Sequence, residues 1–589
     1  MNPFRAPKTL LALGALLVML DSCGGGGGGS ASSPPPVGTP GYTLSAGTPT
    51  PTPVTAGTTS KATITLSPAD GYTGDVTLSC SVKNENTSST PVPTCSFNSA
   101  TLTLNGTSAA TAILTISTSS NTPGGTYAVS VTGSGGANKL PPSNGVQTIT
   151  LTAAAVIEHV VIIFQENRST DNLFQDSVLI SRGADIKTSG LNSSGQTVAL
   201  TPIDLGTTGA NPQNYDVGHG HDAFVSMYDG GKMDGANLIP CTPAAECPPN
   251  AHPNAQFKYV DPSDVQPYFA LAEQYTFGDR MFQTNEGPSF PAHQFIISGT
   301  SAPTATSPLF DSENPLPAGH AAGCLAPLTA TVQMIDADGS ETSQSPEYPC
   351  FEHPTLTDLL ETNGVTWRYY TPNAGSIWTG PVAINHICQE QTLKNVRKCT
   401  GPEFTSYVSI PQTNFLQDIA SGQLAQVTWI IPSGQASDHA LVNDGSGPSW
   451  VASLVNAIGN SPFWANTAII ITWDDWGGWY DHVPPKVIND GTSWGSGYVY
   501  GFRVPLIVVS PYAKAATVTH VTHDFGSILK LIETTFKLPS LGYADTPADD
   551  LADCFDLTQS PITFRAIPAA LNATYFLKDS STPTDPDDD

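Results

Sequence analysis

The chain has 589 residues, which is too long for one ordinary hydrophobic core and predicts several domains. Its formal net charge is −28, with 50 acidic against 22 basic side chains, and only 12% of residues are charged. Such a surface repels polyanions, so composition argues against nucleic acid as a partner and against charge-driven binding to anionic membranes. A phosphate-bearing substrate would have to be drawn in locally, by a cation or a few basic side chains.

The N-terminus predicts export. Arg5 and Lys8 precede an apolar stretch over residues 10–20, which is typical of a signal peptide and too short for a membrane span. Leu20-Asp21-Ser22-Cys23 resembles the bacterial lipoprotein box, so we expect a signal peptide over residues 1–23 and a lipid on Cys23. The predicted location is the outer membrane or cell surface, with this lipid as the only membrane attachment. Ordinary cleavage and secretion is the alternative.

Two segments of different composition follow the predicted signal peptide. Residues 24–40 are mostly Gly, Ser and Pro, which predicts a flexible linker. Residues 41–153 contain short alternating Thr/Val/Ile runs between turn residues, without helical periodicity. This pattern predicts an immunoglobulin-like β-sandwich, which we interpret as a spacer or a carbohydrate-facing module.

Ten cysteines in an exported chain favour disulfides. Proximity along the chain predicts four pairs and leaves one cysteine over; the pairs are Cys80–Cys95, Cys241–Cys247, Cys324–Cys350 and Cys388–Cys399, and the remaining residue is Cys554. None of the spacings is convincing for a structural zinc site.

Residues 156–575 alternate strands with helices, which predicts an α/β domain around a mostly parallel sheet. The expected strands are 159–164, 366–370, 426–431, 468–473 and 504–509, and the expected helices are 355–363, 450–458 and 525–536. Long insertions are expected around 180–260 and 301–350, and residues 579–589 are predicted to be an acidic disordered tail.

Two of the predicted buried strands run directly into polar side chains. The strand at 159–164 leads to Glu166 and Asn167, and the strand at 468–473 leads to Asp474 and Asp475. Since the carboxyl ends of parallel strands open on one edge, where such sheets bind ligands, these four side chains can converge. Oxygen ligands from two strand ends predict one divalent cation: calcium, magnesium, manganese or iron.

Three further segments carry candidate groups. Ser289 stands where a helix should begin, with Gly299 at its end, so its hydroxyl could meet a phosphoryl group there or could simply cap the helix. His219 and His221 lie in a glycine-rich loop, which suits acid/base groups but also an ordinary surface loop. His439 follows the strand at 426–431 and could bind the metal or protonate a leaving group, while Asp438 could equally cap the next segment.

These motifs together resemble the bacterial phospholipase C and acid phosphatase family of phosphoesterases. The matching segments are Glu166-Asn-Arg-Ser169, Asp216-x-x-His219, Gly231-Lys-Met-Asp-Gly235, Asp438-His439, Thr472-Trp-Asp-Asp-x-Gly-Gly-x-Tyr-Asp-His-Val-Pro-Pro485, Gly501-Phe-Arg-Val-Pro505 and His523-x-x-x-Ser527. The resemblance covers about residues 156–545 and implies the α/β sandwich of the alkaline phosphatase superfamily.

The resemblance also implies roles for individual residues. It implies a metal held by Glu166, Asn167, Asp474 and Asp475, with Ser289 as the nucleophile of a phosphoseryl mechanism. His219 and His439 would serve phosphate binding and proton transfer, and we expect the substrate to be contacted by His221, Asp438 and His482.

Several departures from the family pattern leave the substrate open, among them Asp474-Asp-Trp476 where the family often has Asp-Glu-Gly. Thr170-Asp-Asn172 stands where the family often has Phe-Asp-His, and Ser289-Phe-Pro-Ala-His293 is closer to the acid phosphatase branch than to the lipase branch. We expect an exported phosphoesterase, most consistent with phospholipase C, with phosphomonoesters as the alternative substrate. A catalytically inactive surface adhesin is the alternative from another class. The sequence does not indicate an oligomeric state.

Overall fold

The computed structural model describes residues 38–85, 90–135, 142, 144–207, 209, 215–242, 254–336, 338–488 and 499–578. The predicted signal peptide with Cys23, most of the linker, Cys247 and the acidic tail lie outside this part of the chain. No helix within the described ranges is both long enough and apolar enough to cross a membrane.

The N-terminal domain is all β. Its strands β1 to β9 are Gly41–Ala46, Val54–Thr55, Thr59–Ala69, Thr73–Asn84, Thr94–Phe97, Thr101–Asn105, Ala110–Ser117, Gly125–Gly135 and Gln147–Ala154. They form a four-stranded sheet in the order β1-β3-β7-β5 and a five-stranded sheet in the order β2-β9-β8-β4-β6. Alternate side chains of both sheets, such as Leu66, Ile116 and Val129, point into one shared core, as the period-two pattern predicts.

The second domain combines many strands with all of the helices described. Its strands β10 to β28 are His159–Gln165, Ser189–Leu191, Thr197–Ala199, Thr201–Ile203, Asp216–Val217, Cys241–Thr242, Lys258–Val260, Thr276–Phe282, Leu309–Asp311, Val332–Asp336, Glu341–Glu347, Trp367–Tyr370, Glu390–Leu393, Val396–Cys399, Val408–Ser409, Val427–Ile430, Thr467–Trp473, Arg503–Val509 and Thr517–Thr519. The helices α1 to α12 are Thr170–Leu173, Ser177–Ser181, His221–Tyr228, Gln266–Gln274, Ser289–Ser298, Leu356–Thr362, Asn385–Cys388, Pro402–Tyr407, Asn414–Ala420, Gly447–Gly459, Phe525–Phe536 and Ala573–Lys578.

The central sheet has eight strands in the order β24-β21-β25-β10-β26-β27-β17-β28. Strand β10 lies between β25 and β26 and is parallel to both, whereas β27 is antiparallel to both of its neighbours. The sheet is therefore mixed: β27 runs against the other strands of the mostly parallel sheet that the sequence predicts. Hydrophobic patterning cannot reveal this reversal, because a strand buried on both faces reads the same in either direction.

Helices pack against the sheet to form one large core. Helix α10 contacts α4, α9 and α12, while α5 contacts α11 and α6. The predicted helix stops and starts are present: α6 ends before Gly364, which has a φ of +69°, and Asp524 caps α11 with its side chain.

The disulfides that proximity predicts are formed wherever both cysteines are described. Cys80–Cys95 links β4 to β5, and Cys324–Cys350 and Cys388–Cys399 close loops in the second domain. Cys241 is also disulfide-bonded. Cys554 is a free, buried thiol, as expected.

The two domains are joined by hydrogen bonds. The Ala155 N–H donates to the carbonyl of Leu557 (2.9 Å), and the Gly124 N–H donates to the Tyr512 hydroxyl (3.4 Å). A C-terminal segment of the chain therefore braces the junction between the β domain and the sheet domain.

Candidate active site

The site is built where β10 and β26 end side by side. These strands pair in parallel with Gln165 opposite Trp473, and the Asp474 N–H continues the ladder by donating to the Gln165 carbonyl (3.0 Å). The next residues along the two strands are Glu166 and Asp474, which are both fully buried. Carboxylates that are far apart in sequence thus meet at one edge of the sheet.

Asp474 and Asp475 both lie beyond the regular strand, which ends at Trp473. Gly477 and Gly478 follow with φ values of +63° and +70°, a conformation that glycine adopts without steric cost. The Gly477 N–H donates to Asp475 Oδ1 (2.7 Å). A Cβ on Gly477 would stand 2.3 Å from the Asn167 carbonyl oxygen, so the turn can pack against Asn167 only without a side chain.

Ser289 is the first residue of α5, and its hydroxyl faces the carboxylates. Ser289 Oγ donates to Glu166 Oε2 (3.3 Å) or to Asp475 Oδ2 (3.2 Å). Pro288 rather than Ser289 occupies the N-cap position, and no side-chain cap is formed there. Ser289 is therefore not a capping residue, and the alternative that it only caps the helix is excluded.

The turn before Ser289 is braced by amide side chains. Asn285 Nδ2 donates to the carbonyls of Gly287 (2.8 Å) and Pro288 (3.2 Å). Gln283 Nε2 donates to the same Gly287 carbonyl (3.0 Å), and Gln283 Oε1 accepts from the Trp476 N–H (3.2 Å). These bonds connect the serine turn to the turn that carries the paired aspartates.

The start of α5 offers fewer free donors than the sequence suggests. The Phe290 N–H already donates to Asn314 Oδ1 (3.0 Å), and Pro291 has no N–H. The expectation of an open helix N-terminus that holds a phosphoryl group is thus only partly met, since the bond to Asn314 must break before Phe290 can contribute.

His293 joins the site although sequence reasoning gave it no role. Its Nε2 lies 2.8 Å from Glu166 Oε1 and 3.7 Å from Asp474 Oδ2. It stands four residues after Ser289 on α5, so both side chains lie on one face of the helix. The four-residue spacing from Ser289, which was already a candidate nucleophile, could have indicated from the sequence that His293 belongs to the site.

The residues fit a divalent cation. Glu166, His293 and Asp474 place one ligand atom each within 4.8 Å of one another. Within the described structure, both carboxylate oxygens of Asp474 and Oδ1 of Asn167 are buried and accept no hydrogen bond. Buried acceptors without donors are costly unless a cation satisfies them. The set also includes the imidazole nitrogen of His293, whereas the sequence offered His439 as the histidine that could bind the metal.

His219 orients the amide of Asn167. The His219 Nδ1–H donates to the Val217 carbonyl (2.9 Å), so in the neutral ring Nε2 accepts from Asn167 Nδ2 (3.2 Å). This contact turns Asn167 Oδ1 away from the histidine, as a metal ligand requires. The ring of His439 lies beside it, with centroids 5.7 Å apart, and His439 Nδ1 is 2.8 Å from the Ala440 carbonyl.

The other residues that were expected to contact the substrate have different neighbours. His221 starts α3, and its Nδ1 lies 2.9 Å from the Glu286 carbonyl oxygen. Asp438 Oδ2 accepts from the Tyr268 hydroxyl and from Trp473 Nε1, both at 2.9 Å. Burial raises the pKa of Asp438 to about 6, although nearby Arg168 lowers it.

His482 belongs to a separate buried ion network. Its Nδ1 is 2.6 Å from Asp171 Oδ2, and its Nε2 is 3.0 Å from Asp185 Oδ1. Arg503 Nε donates to Asp481 Oδ1 at 2.8 Å, and Arg503 Nη2 reaches Asp171 Oδ1 at 3.2 Å. Although burial lowers the pKa of His482, its bond to Asp171 raises it overall. In these contacts the partners of His221, Asp438 and His482 are groups other than Ser289 and its carboxylates.

A family model matches the part of the chain that contains these strand ends and the serine. The model described as "Phosphoesterase family" matches residues 157–539, which is more than half of the chain. The chain belongs to the phosphoesterase family. It is a hydrolase that acts on phosphoric ester bonds.

Several relatives of this phosphoesterase carry more specific names. The chain is 26% identical to phospholipase C A of Mycobacterium tuberculosis, over 69% of this chain and 79% of the relative. Hemolytic phospholipase C of Pseudomonas aeruginosa is 24% identical over 64% of this chain and 53% of its own. Non-specific phospholipase C6 of Arabidopsis thaliana is 24% identical over 69% and 74%.

Among solved structures, a phosphonate monoester hydrolase from Silicibacter pomeroyi covers 51% of this chain and 73% of its own, at 9% identity and a TM-score of 0.26.

Proposed function

We propose that this phosphoesterase is a phospholipase C, which cleaves phospholipid phosphodiesters through a phosphoserine at Ser289. The observation that supports it is the position of the Ser289 hydroxyl, within 3.3 Å of both Glu166 and Asp475. The names of the relatives favour the lipid substrate.

Glu166, Asn167, Asp474 and Asp475 would hold one divalent cation, with His293 as a further ligand. A cation bound there lowers the pKa of a nearby hydroxyl and neutralises charge on a phosphoryl group. An oxygen-rich set with one imidazole suits manganese or iron better than calcium or magnesium, which prefer oxygen ligands alone.

Each proposed step uses groups of the chain. Glu166 or Asp475 accepts the proton of the Ser289 hydroxyl, and Oγ attacks phosphorus while the bond to the diacylglycerol oxygen breaks. His439 donates a proton to the leaving oxygen, and His219 holds the Asn167 amide in place. Water then attacks the phosphoserine, which releases the phosphorylated head group and restores the hydroxyl. Complete burial of the reacting side chains keeps these transfers away from bulk water.

Phosphomonoester hydrolysis is the second candidate. The segment from Ser289 to His293 is closer to the acid phosphatase branch of the family than to the lipase branch. The same serine and the same carboxylates would serve, so the substrate pocket decides between the two reactions.

The N-terminal all-β domain and the location complete the proposal. We infer an immunoglobulin-like spacer that holds the sheet domain away from a cell-surface anchor at Cys23, or a secreted enzyme if Cys23 carries no lipid. Metabolic labelling with a lipid precursor distinguishes the two cases, because only Cys23 acylation would transfer the label.

The first test replaces the nucleophile. Ser289→Ala should lower kcat on p-nitrophenylphosphorylcholine by several orders of magnitude, because the attacking oxygen is lost. Ser298→Ala is the matched control: Ser298 ends the same helix, is equally buried, and its hydroxyl makes no hydrogen bond within the described structure. An active Ser289→Ala enzyme would contradict the mechanism.

Substrate choice needs a parallel assay. Release of diacylglycerol and phosphocholine from phosphatidylcholine identifies a phospholipase C, whereas preference for p-nitrophenyl phosphate identifies a phosphatase. Metal content measured on the same sample shows whether any inactivity reflects an empty centre or a wrong substrate.

A further inference from the structure

A second group of metal-binding side chains lies at the edge of the central sheet, away from Ser289. His523, Asp553 and Cys554 each direct one possible ligand atom, and these atoms all lie within 4.8 Å of one another. His523 stands between β28 and the cap of α11, and Cys554 ends a short 3-10 turn at Ala552–Cys554. We propose that this cluster is a zinc site that fastens the C-terminal loop to the sheet edge.

The backbones that carry the cluster are fixed independently of it. The His523 N–H donates to the Arg280 carbonyl (2.9 Å), and the His523 carbonyl accepts from the Phe282 N–H (2.9 Å). The Cys554 carbonyl accepts from the Lys514 N–H (2.9 Å) and from the Thr276 hydroxyl (3.1 Å). The imidazole and the thiol are therefore brought together by the fold before any ion binds.

Asp549 sets the orientation of the histidine. His523 Nδ1 lies 2.9 Å from Asp549 Oδ1, which also accepts from the Ser527 hydroxyl (2.6 Å). A proton held on Nδ1 by this carboxylate leaves the lone pair on Nε2, which is the usual carboxylate–histidine–metal arrangement.

His523 Nε2 is the independent sign that a ligand is missing. The His523 side chain is 0% exposed, and Nε2 lies 3.5 Å from Asp553 Oδ1 without making a hydrogen bond in the part of the chain that the structure describes. A buried, unsatisfied nitrogen aimed at a carboxylate and a thiol calls for a cation or a proton.

Asp553 and Cys554 complete the donor set. Asp553 Oδ2 accepts from the Thr519 hydroxyl, so Oδ1 is the oxygen that faces His523, and Cys554 Sγ lies 3.9 Å from that same Oδ1. The side chains of Asp549 and Asp553 are 33% and 25% exposed, which gives an ion a route from solvent and leaves room for a water ligand.

The chemistry of the donors selects the metal. One nitrogen, one thiolate sulfur and one carboxylate oxygen suit zinc or a similar borderline ion, whereas calcium and magnesium require oxygen. Binding would displace the thiol proton of Cys554 to solvent. The competing occupant is a proton on His523: burial lowers the pKa of this histidine, but the hydrogen bond to Asp549 and the approach of the Asp553 carboxylate outweigh burial and raise it to about 11.

Cobalt(II) distinguishes the ion from the proton. The full-length protein is stripped of metal and titrated with Co²⁺; a thiolate ligand produces a sulfur-to-cobalt charge-transfer band in the near ultraviolet. None of the candidate ligands near Ser289 contains sulfur, and Cys554 is the free thiol of the described residues, so loss of the band in Cys554→Ser assigns it to this residue. We expect it in the wild-type protein, and its absence there would overturn the proposal even if every variant failed to fold.

Variants supply the second readout. Cys554→Ser and His523→Asn should lose the band and bind one zinc ion fewer per chain than the wild type, and zinc should raise their Tm less. His320→Asn, in an exposed loop, is the control and should behave as wild type. Equal zinc stoichiometry and an equal zinc-induced rise in Tm across all four proteins would show that the cluster is only an ion-paired histidine.

Discussion

His293 changes what the residues around Ser289 can bind. Carboxylates and an amide alone would suit hard cations, but the imidazole 2.8 Å from Glu166 Oε1 adds a nitrogen donor. A nitrogen ligand shifts preference towards transition metals, because their bonds to imidazole are stronger than those of calcium or magnesium.

His293→Gln should therefore weaken metal binding. We expect the dissociation constant for Mn²⁺ or Fe²⁺ to rise about 10- to 100-fold, the range found when even outer contacts of a metal site are lost. Titration of the metal-free protein, followed by calorimetry, measures this directly. His320→Gln on an exposed loop controls for losing a histidine; unchanged affinity in His293→Gln would mean that His293 only hydrogen-bonds Glu166.

Glu286 predicts a pH dependence of stability. Burial raises its pKa to about 8, with a further rise from Asp338 and an opposing bond from the Val499 N–H. A carboxyl with a higher pKa in the folded than in the unfolded chain favours folding while protonated, and this contribution disappears as pH rises through the folded value. Between about pH 5 and 8 the free energy of unfolding should fall, by at most about 1.4 kcal/mol per pH unit from this group.

Glu286→Gln should flatten this decline, because an amide stays neutral and can still accept the Val499 N–H. Denaturant unfolding at pH 5, 6.5 and 8 provides the measurement, with Glu341→Gln at an exposed position as the control. A decline of the same slope in Glu286→Gln would assign it to other groups.

At the scale of elements, the site depends on a turn as much as on strands. Strand β26 delivers Asp474, but Gly477 and Gly478 fold the chain back against Asn167 and Gly218. This turn directs the Asp475 side chain towards Ser289. In a continuing strand, Asp475 would point to the face opposite that of Asp474.

Gly477→Ala should therefore damage the site beyond the cost of its conformation. A left-handed alanine costs about 1–2 kcal/mol anywhere, but here its Cβ would also displace Asn167. Gly195→Ala is a close control, with a φ of +70° and no heavy atom within 4 Å of the added Cβ. We expect both variants to lose stability in thermal unfolding, but only Gly477→Ala to lose most of its metal affinity and turnover. Equal turnover in the two variants would show that the site does not depend on this turn.

Patterning predicted most elements that carry the site, and for physical reasons it missed others. Apolar runs before Glu166 and Asp474 mark buried strands, and Pro288 with Gly299 marks the limits of α5. The reversal of β27 and the approach of His293 to Glu166 depend on how distant segments pack, which hydrophobic period does not encode. The cluster of His523 with Cys554 was missed for the same reason, although the sequence had left Cys554 as the unpaired thiol.

On the scale of the whole molecule, the large negative charge opposes approach to anionic lipid. The net charge of −28 repels anionic vesicles strongly at 0.01 M salt, where the Debye length is about 30 Å. At 0.15 M salt the Debye length is about 8 Å, so the repulsion is much weaker. Zwitterionic lipid creates no such barrier.

Hydrolysis of phosphatidylglycerol vesicles should accordingly speed up several-fold between 10 and 150 mM salt, on the order of magnitude expected when long-range repulsion is screened. Phosphatidylcholine vesicles and soluble p-nitrophenylphosphorylcholine should show little change and serve as controls. A slower rate on anionic vesicles at high salt would instead indicate a local basic docking surface.

The pairing of β10 with β26 also affects how the enzyme folds. Their ladder joins residues about three hundred positions apart, so closing it carries a large loop entropy and depends on the whole intervening chain. Turnover should then return later in refolding than helical structure does. This timing delays catalysis, since no partial chain that lacks Asp474 can assemble the group around Ser289.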